Sequence, residues 1–402
     1  MKALLLTNEY PPNTYGGAGV HVEYLSRELA KLMPVEVRCF GEQFSEIGSL
    51  KVRGIPLSGK EIGAPKPLHS VFGAIQRNSE MCSLGVDADI VHCHTWYTHL
   101  AGILSKLTYG VPLIITTHSL EPLRPWKREQ LAGGYDFSVW VEKTALEMAD
   151  AIIAVSEGAK ADVLKYFEVP EERVHVIHNG IDLSEFQKVE TFDALTRHGI
   201  PVDQPYVLFV GRMTRQKGIQ YLIKALQYID PDIPVVLCAS SPDTPAIAAE
   251  IKEGIESART HRGQIFWIQE MLDKRSLIEM YSHAGVFCCP SIYEPFGIIN
   301  LEAMACEIPV VATAVGGIPE VVVEEVTGLL VPLDQQAETP FAPNNPDQFV
   351  LDLADRINQL MRDPELRLPM GKAGRLRAEE LFSWESIAKR TKDLYEQLSV
   401  VE

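Results

Sequence analysis

The stretch VFCCPSIYEPFGIINLE, residues 286–302, decides the fold class of this chain. Its first four residues form a short apolar run typical of a strand buried on both faces, and IINLE begins a helix. The Pro-Phe-Gly turn therefore leads from the end of a strand to a helix amino terminus, where free N–H groups and the helix dipole favour phosphate. Glu294 and Glu302 can each accept hydrogen bonds from sugar hydroxyls, as on a ribose. The stretch predicts a site for phosphates between two sugars.

Short β-branched apolar runs alternate with longer amphipathic segments along the whole chain. Six runs, from KALLLT to VHVI, precede the polar stretch 178–205, and six more, from YVLFVG to GLLVPL, follow it. This alternation predicts two Rossmann-like α/β domains with parallel sheets, residues 1–178 and 179–381, with a hinge near 178–182. In such folds ligands bind at the carboxyl ends of strands, so we expect the site in a cleft that the two sheets face.

The composition excludes several classes of function. A formal charge of −17 argues against binding to nucleic acid or to anionic membrane surfaces. No apolar run reaches the roughly 20 residues of a membrane span, and the start MKALLLTNEYPP is too short for a signal peptide. The seven cysteines lack zinc-ligand or CxxC spacing and are predicted to be reduced core thiols. We therefore expect a cytoplasmic enzyme with small-molecule partners, and we allow for a homo-oligomer.

Two glycine-containing loops are candidates for phosphate binding. Gly16 and Gly17 follow the first predicted strand and lead into a helix, where the backbone can approach a ligand closely. The alternative is a flexible turn before a helix, since the pattern is not GxGxxG. The segment GRMTRQKG, residues 211–218, follows the strand YVLFVG. Arg212 can bind phosphate in a bidentate way and Lys217 adds a point charge, so both could stabilise a departing diphosphate.

Histidines follow two neighbouring strands of the first predicted domain. His118 ends PLIITTH and is a candidate for hydrogen bonding to a sugar or for proton transfer, with a satisfied core histidine as the alternative. His92, His94 and Trp96 end the preceding strand, and Trp96 has a flat face for stacking on a sugar. No carboxylate lies at a ligand-like spacing from these histidines, so no metal site is predicted.

The loop after His118 concentrates positive charge beside an indole. It contains Arg124, Trp126, Lys127 and Arg128. We expect it to bind the phosphate of an acceptor sugar, and the alternative is an exposed basic loop.

These motifs together resemble those of a known enzyme family. Glu294 to Glu302 resembles the E-x7-E motif of retaining glycosyltransferases with the GT-B fold, and residues 211–218 resemble their G-R-x-x-x-x-K-G motif. NEYPPNTYGGAGVHVEYL, HCHTWYTHLAG and THSLEPLRPWKREQLAGGY are similar to the actinobacterial, corynebacterial-type glycogen synthase group. That likeness covers nearly the whole chain. It implies transfer of glucose from ADP-glucose to an α-1,4-glucan, or to glucose 1-phosphate to give maltose 1-phosphate.

The resemblance also implies roles for individual residues. The donor would be bound by Gly16, Gly17, Ile298, Ile299 and Glu302, the last on the ribose. The transfer itself would involve His118, Arg212, Lys217 and Glu294. The acceptor would meet His94, Thr95 and Trp96, where the larger glycogen and starch synthases carry His-Asp-Trp, so Thr95 is a departure. A final helix, 382–402, would cross back to the first domain.

The mechanism implied by the resemblance is a front-face substitution with retention. The departing phosphate would accept the acceptor's proton, and no Asp-x-Asp motif is present, so we expect neither a metal nor another cofactor. Two alternatives stay open. The donor could be a UDP- or GDP-sugar used with another acceptor, or the chain could be a GT-B-like sugar-nucleotide epimerase.

Overall fold

The fold comprises two compact α/β units, seen in a computed structural model that describes residues 1–14, 16–57, 59, 62–240, 242–337 and 340–399. One unit is Met1–Gly180 with Trp384–Glu402, and the other is Ile181–Ser383. The division lies after Gly180, two residues beyond the boundary that the sequence predicted at 178. Gly180 packs against Trp384 so closely that an added Cβ would lie 2.6 Å from the indole, which holds this end of the segment in the first unit.

The first unit is built on an eight-stranded sheet in the order β3-β4-β2-β1-β5-β6-β7-β8. Every neighbouring pair is parallel except β3 and β4, which pair antiparallel. The strands are β1 Ala3–Leu6, β2 Val35–Phe40, β3 Phe44–Ile47, β4 Leu50–Ile55, β5 Ile90–His94, β6 Leu113–Thr117, β7 Ala151–Ala154 and β8 Val174–Val176. Its helices are α1 Gly17–Ala30, α2 His69–Ser83, α3 Trp96–Tyr109, α4 Arg128–Leu131, α5 Gly134–Met148 and α6 Glu157–Tyr166.

One pair of strands in this unit was not predicted from the sequence. Six runs were predicted before residue 178, and β3 with β4 form an additional hairpin at one side of the sheet. All four residues of β3 are exposed, and only Val52 and Ile55 of β4 are buried. Without a continuous apolar run the hairpin carries no signal of a doubly buried strand.

The second unit has a six-stranded, fully parallel sheet in the order β11-β10-β9-β12-β13-β14. The strands are β9 Tyr206–Arg212, β10 Val235–Ser240, β11 Ile265–Ile268, β12 Ala284–Cys289, β13 Val310–Thr313 and β14 Gly328–Val331. The helices are α7 Asp193–Arg197, α8 Ile219–Ala225, α9 Pro245–Arg259, α10 Lys274–His283, α11 Ile298–Ala305, α12 Ile318–Val321, α13 Pro346–Arg362 and α14 Pro364–Leu381. All six predicted runs of this half are strands, and most of their residues are buried, although the edge strand β11 has two half-buried residues.

The last helix, α15 Trp384–Ser399, belongs to the first unit although it follows the second in the chain. Its buried face includes Trp384, Ile387 and Tyr395, which join the first unit's apolar core. The residues just before it stay with the second unit, where the Ile181 N–H donates to the Phe382 carbonyl at 2.8 Å. The chain therefore changes units at two adjoining points.

The described part of the chain contains no helix that is both long and apolar enough to cross a membrane. The seven cysteines are all buried and unpaired, which confirms their prediction as core thiols.

Candidate active site

Each sheet reverses its strand order at one point, and the candidate residues lie beside these two points. In the second unit the chain winds outward from β9 through β10 to β11, and then from β12 through β13 to β14. In the first unit the reversal lies between β1 and β5. Loops at the carboxyl ends of the two central strands diverge there and leave room for a ligand.

The second unit's reversal point brings together a lysine and a glutamate that are far apart in sequence. Lys217 follows β9 and Glu294 follows β12, and the Lys217 Nζ lies 2.6 Å from the Glu294 Oε2. The two side chains are 18% and 9% exposed. Burial alone would lower the pKa of Lys217, but the adjacent carboxylate outweighs it, so the net pKa is raised. Lys217 therefore stays positively charged.

Two glycines allow these loops to approach each other. Gly218 has φ +65°, and a Cβ there would lie 1.8 Å from the Pro290 carbonyl oxygen of the neighbouring loop. Gly297 has φ +94° and caps the amino terminus of α11. A side chain at either position would require both a left-handed backbone and displacement of its neighbours. These constraints explain the glycines of both motifs.

Two further groups that were predicted to bind the diphosphate lie near this pair. Arg212 is the last residue of β9, and its Nη1 lies 3.3 Å from the Asp243 Oδ1, which is an ion pair that the sequence analysis did not anticipate. Ile298 and Ile299 are the first two residues of α11. Helix geometry gives their N–H groups no intrahelical acceptor, so they can donate to an anion. The predicted guanidinium of Arg212 thus lies at the end of β9, and the predicted N–H groups lie at the start of α11, beside the reversal point.

Glu302 lies on α11, one turn beyond those N–H groups. Its Oε2 accepts a hydrogen bond from the Tyr281 hydroxyl at 2.8 Å. Burial raises the pKa of Glu302 to about 7, although the Tyr281 bond and Lys217 oppose the rise. The carboxyl group is therefore poised to ionise near neutral pH when hydroxyl donors reach it.

In the first unit, predicted and unpredicted histidines form one cluster. His94 ends β5 and His118 follows β6, and the His94 Nδ1 lies 3.1 Å from the His118 Nε2. His21 of α1 joins them, and its Nδ1 lies 2.6 Å from the Asn179 Oδ1. Burial lowers the pKa of His21 to about 4 and those of His94 and His118 well below their ordinary value, with the neighbouring histidines adding to the effect for the last two. All three rings are thus neutral at pH 7.

The predicted glycine loop is partly occupied by a side chain of the protein itself. The Gly16 N–H donates to the Glu9 Oε2 at 2.7 Å, so a carboxylate stands at the α1 amino terminus where phosphate was predicted. Gly17 is the first residue of α1. A phosphate that reached the Gly16 N–H would have to replace Glu9.

Thr95 has an unusual backbone conformation for its residue type. Its φ is +68°, which is strained for a β-branched residue, and its Oγ1 donates to the Asn8 Oδ1 at 2.8 Å. The contact joins the loops after β5 and β1. Thr95 thus lies at the first unit's reversal point, and its contact with an acceptor stays a prediction.

The prediction that Trp96 presents an open face for a sugar needs correction. The side chain is buried, with its ring centroid 4.0 Å from that of Tyr97 and 6.3 Å from that of Phe137. Trp96 is the first residue of α3, and its helical direction turns the indole into the packing of α3. It is a core residue in this structure.

The basic loop after His118 is also corrected, because its charges are largely compensated. Lys127 is buried with its Nζ 2.8 Å from the Glu121 Oε1, and Arg128 pairs with Asp136 on the surface. Trp126 is half-buried. Arg124 donates to the Ser119 hydroxyl at 3.0 Å, while its buried Nε has no hydrogen-bond partner among the described residues. Arg124 also lies 3.8 Å from the Glu121 Oε1, so its charge is partly compensated as well, and its contact with an acceptor phosphate stays a prediction.

Several residues of these sites were missed by the sequence analysis. They are Glu9, His21, Asp243 and Tyr281, each in contact with a predicted residue, and Asn179, which contacts His21. Two of them left a signal, since His21 lies one turn into the helix that the glycine loop begins and Asn179 lies in the predicted hinge at 178–182. Glu9, Asp243 and Tyr281 gave none, because residue type and position do not show which loop or helix a side chain meets.

Comparison with known proteins supports the likeness stated above. The family described as "Glycosyltransferase Family 4" matches residues 15–185, and "Glycosyl transferases group 1" matches residues 192–377. The chain is 44% identical to the alpha-maltose-1-phosphate synthase of Mycolicibacterium smegmatis, over 99% of this chain and 100% of that protein.

Solved structures show the same architecture. The sucrose-phosphate synthase of Thermosynechococcus elongatus superposes with a TM-score of 0.80 at 26% identity and full coverage of both chains. The catalytic domain of starch synthase IV from Arabidopsis thaliana, bound to ADP and acarbose, has a TM-score of 0.74 at 18% identity, covering 99% of this chain and 99% of that one. Because the similarity extends along the whole length of the chain and both family descriptions match, the chain belongs to the GT-B glycosyltransferases of family 4 and is a hexosyltransferase.

Proposed function

We propose that the protein is a retaining glucosyltransferase that moves glucose from ADP-glucose to glucose 1-phosphate and so forms maltose 1-phosphate for α-glucan synthesis. The observation that carries the transfer reaction is the Lys217–Glu294 pair at the reversal point of the second sheet. The choice of acceptor is supported by the likeness to the synthase from Mycolicibacterium smegmatis.

The second unit supplies the groups that a nucleotide-sugar needs. Arg212, Lys217 and the first N–H groups of α11 bind the diphosphate and neutralise its charge as the bond to glucose breaks. The Lys217 ammonium has three N–H donors, so its bond to Glu294 leaves capacity for phosphate oxygens. Glu302 accepts hydrogen bonds from the ribose hydroxyls, and Glu294 does so from the transferred glucose. No metal ion is needed, since side-chain cations carry the positive charge.

The first unit supplies groups for the sugar and the acceptor. His118 is neutral and half-buried, so it can bond a sugar hydroxyl without adding charge. Arg124 contributes a guanidinium for the acceptor phosphate. In the reaction the bond between the glucose C1 and the diphosphate oxygen breaks, and the acceptor oxygen forms a bond to C1 on the same face of the sugar. The acceptor's proton passes to the departing diphosphate.

A matrix of donors and acceptors tests the proposal. Purified protein is incubated with ADP-glucose or UDP-glucose, and with glucose 1-phosphate, glycogen or no acceptor. Nucleoside diphosphate release is measured, and the product and its anomeric configuration are identified by NMR. We expect release only with ADP-glucose and glucose 1-phosphate, and an α-linked product. Lys217→Met prepared in parallel controls for contaminating activities.

Each other outcome has a defined meaning. Release of ADP without any acceptor would refute the transferase reaction. Activity with glycogen but not with glucose 1-phosphate would favour the α-1,4-glucan acceptor and would remove the role of Arg124. A preference for UDP-glucose would leave the reaction class intact and replace the donor.

A further inference from the structure

Three histidines of the first unit converge on one point from separate elements. His21 lies on α1, His94 ends β5 and His118 follows β6. One ring nitrogen from each lies within 4.8 Å of the others. The ring centroids are 4.7, 5.3 and 5.3 Å apart. Three imidazoles that share one tetrahedral metal with bonds of about 2.0–2.1 Å have ring centres roughly 5 Å apart, so the observed spacing suits a metal.

The ring of His21 carries a buried nitrogen that lacks a hydrogen-bond partner. The His21 Nε2 has none among the described residues, and its side chain is 98% buried. Buried polar atoms are normally paired, and an exception calls for an explanation such as an ion. His92, directly beside His94, shows the contrast, because its two nitrogens are bonded to the Tyr395 and Thr116 hydroxyls at 2.6 and 2.7 Å.

The hydrogen bond of His21 prepares that ring for metal binding. The His21 Nδ1 donates to the Asn179 Oδ1 at 2.6 Å, which leaves the lone pair on Nε2 directed away from Asn179. A histidine that ligates a metal commonly donates its other N–H to an oxygen in this way, which fixes the tautomer and the ring orientation.

We propose that His21, His94 and His118 form a binding site for one divalent transition-metal ion of the zinc type. The ligand atoms are the His21 Nε2, the His94 Nδ1 and the His118 Nε2. The last two are hydrogen-bonded to each other at 3.1 Å, a separation close to the roughly 3.3 Å between two nitrogens on a tetrahedral zinc ion, and metal binding replaces the shared proton. Three neutral imidazoles favour Zn²⁺, Co²⁺ or Cu²⁺ over Mg²⁺ or Ca²⁺, which prefer oxygen ligands.

The site has a consequence for activity that rests on the proposed function. His118 is also the proposed sugar contact, so its Nε2 cannot hold a metal ion and a glucose hydroxyl at once. Zn²⁺ is therefore an inhibitor that competes with the sugar substrate, and a chelator restores activity. The ion is not a catalytic cofactor.

Binding is tested without reference to turnover by titrating the metal-free full chain with Co²⁺. We expect one ion per chain, the intense visible absorption of tetrahedral Co²⁺, and its loss when Zn²⁺ is added. His21→Phe removes one ligand and is expected to weaken binding at least 100-fold. His92→Phe is the matched control, since it removes a neighbouring buried histidine and leaves all three ligands. Thermal unfolding of each variant verifies that it is folded.

A second variant covers the case in which His21→Phe fails to fold. Asn179→Ala keeps every ligand and removes only the bond that orients His21, so a loss of affinity of about 10–100-fold is expected. Absence of the tetrahedral spectrum, or an affinity in Asn179→Ala equal to that of the unaltered protein, would overturn the site. Tetrahedral binding without inhibition would support the site and reject the sugar contact of His118, so the two ideas fail separately.

Discussion

Replacing Lys217 by Met should destabilise the second unit and also abolish most of the activity. The variant keeps the length and apolar stem of the side chain and leaves the Glu294 carboxylate buried without its cation. At the observed 2.6 Å, Coulomb's law with an effective dielectric constant of about 20 gives about 6 kcal/mol of attraction. Desolvation of both charges offsets part of this, and breaking a buried pair from one side typically costs about 3–5 kcal/mol.

The stability measurement is urea and thermal unfolding of the variant beside the unaltered protein. A loss of about 3 kcal/mol in a unit of this size lowers its Tm by about 6–12 °C. The double variant Lys217→Met with Glu294→Gln removes both charges and should recover at least about 2 kcal/mol of the loss. Arg215→Met is the matched control from the same loop, because its pair with Glu250 is exposed and contributes under about 1 kcal/mol.

The activity measurement separates the two roles of Lys217. Loss of its charge from the diphosphate should lower kcat by a factor of about 100 or more, equivalent to about 3 kcal/mol of transition-state stabilisation. The double variant should regain stability but not turnover. A single variant that loses less than about 1 kcal/mol of unfolding free energy, or a double variant no more stable than the single one, would refute the buried-pair reasoning. Unchanged turnover would refute the catalytic role.

Three further predictions concern other parts of the molecule. Because the pKa of Glu302 is raised to about 7, its protonated form stabilises the free protein at low pH, and this contribution is lost as pH rises through 7. The ionised carboxylate is the form that accepts hydrogen bonds from the ribose hydroxyls, so the affinity for ADP-glucose, measured by calorimetry, should rise from pH 6 to 8. An equal rise in Glu302→Gln would contradict the assignment. Tyr395→Phe removes the buried partner of His92 and should cost about 1–3 kcal/mol in urea unfolding, whereas no change would show that the bond is not formed. Gly218→Ala should cost at least about 2 kcal/mol, because its Cβ would lie 1.8 Å from the Pro290 carbonyl oxygen; unfolding of a variant as stable as the parent would disprove this close approach.

The sequence was informative wherever a single segment carries its own physical signal. Continuous apolar runs predicted all six strands of the second unit, since a strand buried on both faces needs no polar residues. Positive charges after β9 and glutamates around the Pro-Phe-Gly turn indicated the nucleotide-sugar groups for a similar reason. The β3–β4 hairpin carried no such run and was missed.

Trp96 and Lys127 show the limit of predictions made from residue type. Both residues lie in segments that the sequence analysis connected with the acceptor, and side-chain chemistry alone suggested a stacking face and a phosphate-binding cation. The structure buries the indole against Tyr97 and Phe137 and neutralises the ammonium with Glu121. Which way a side chain points depends on neighbours that are remote in sequence, so residue type could not reveal it.

The sequence by itself determined two α/β units with largely parallel sheets and the order of the loops that carry the predicted phosphate-binding cations and the glutamates, because each depends on local runs of residues. The class of reaction followed from the resemblance of these motifs to those of a known family. Only the tertiary structure decided which groups meet. It joined Lys217 to Glu294, Tyr281 to Glu302 and His21 to His94 and His118. The physical reason is that strand order sets which loops are neighbours, and a sheet that reverses its winding places distant loops side by side.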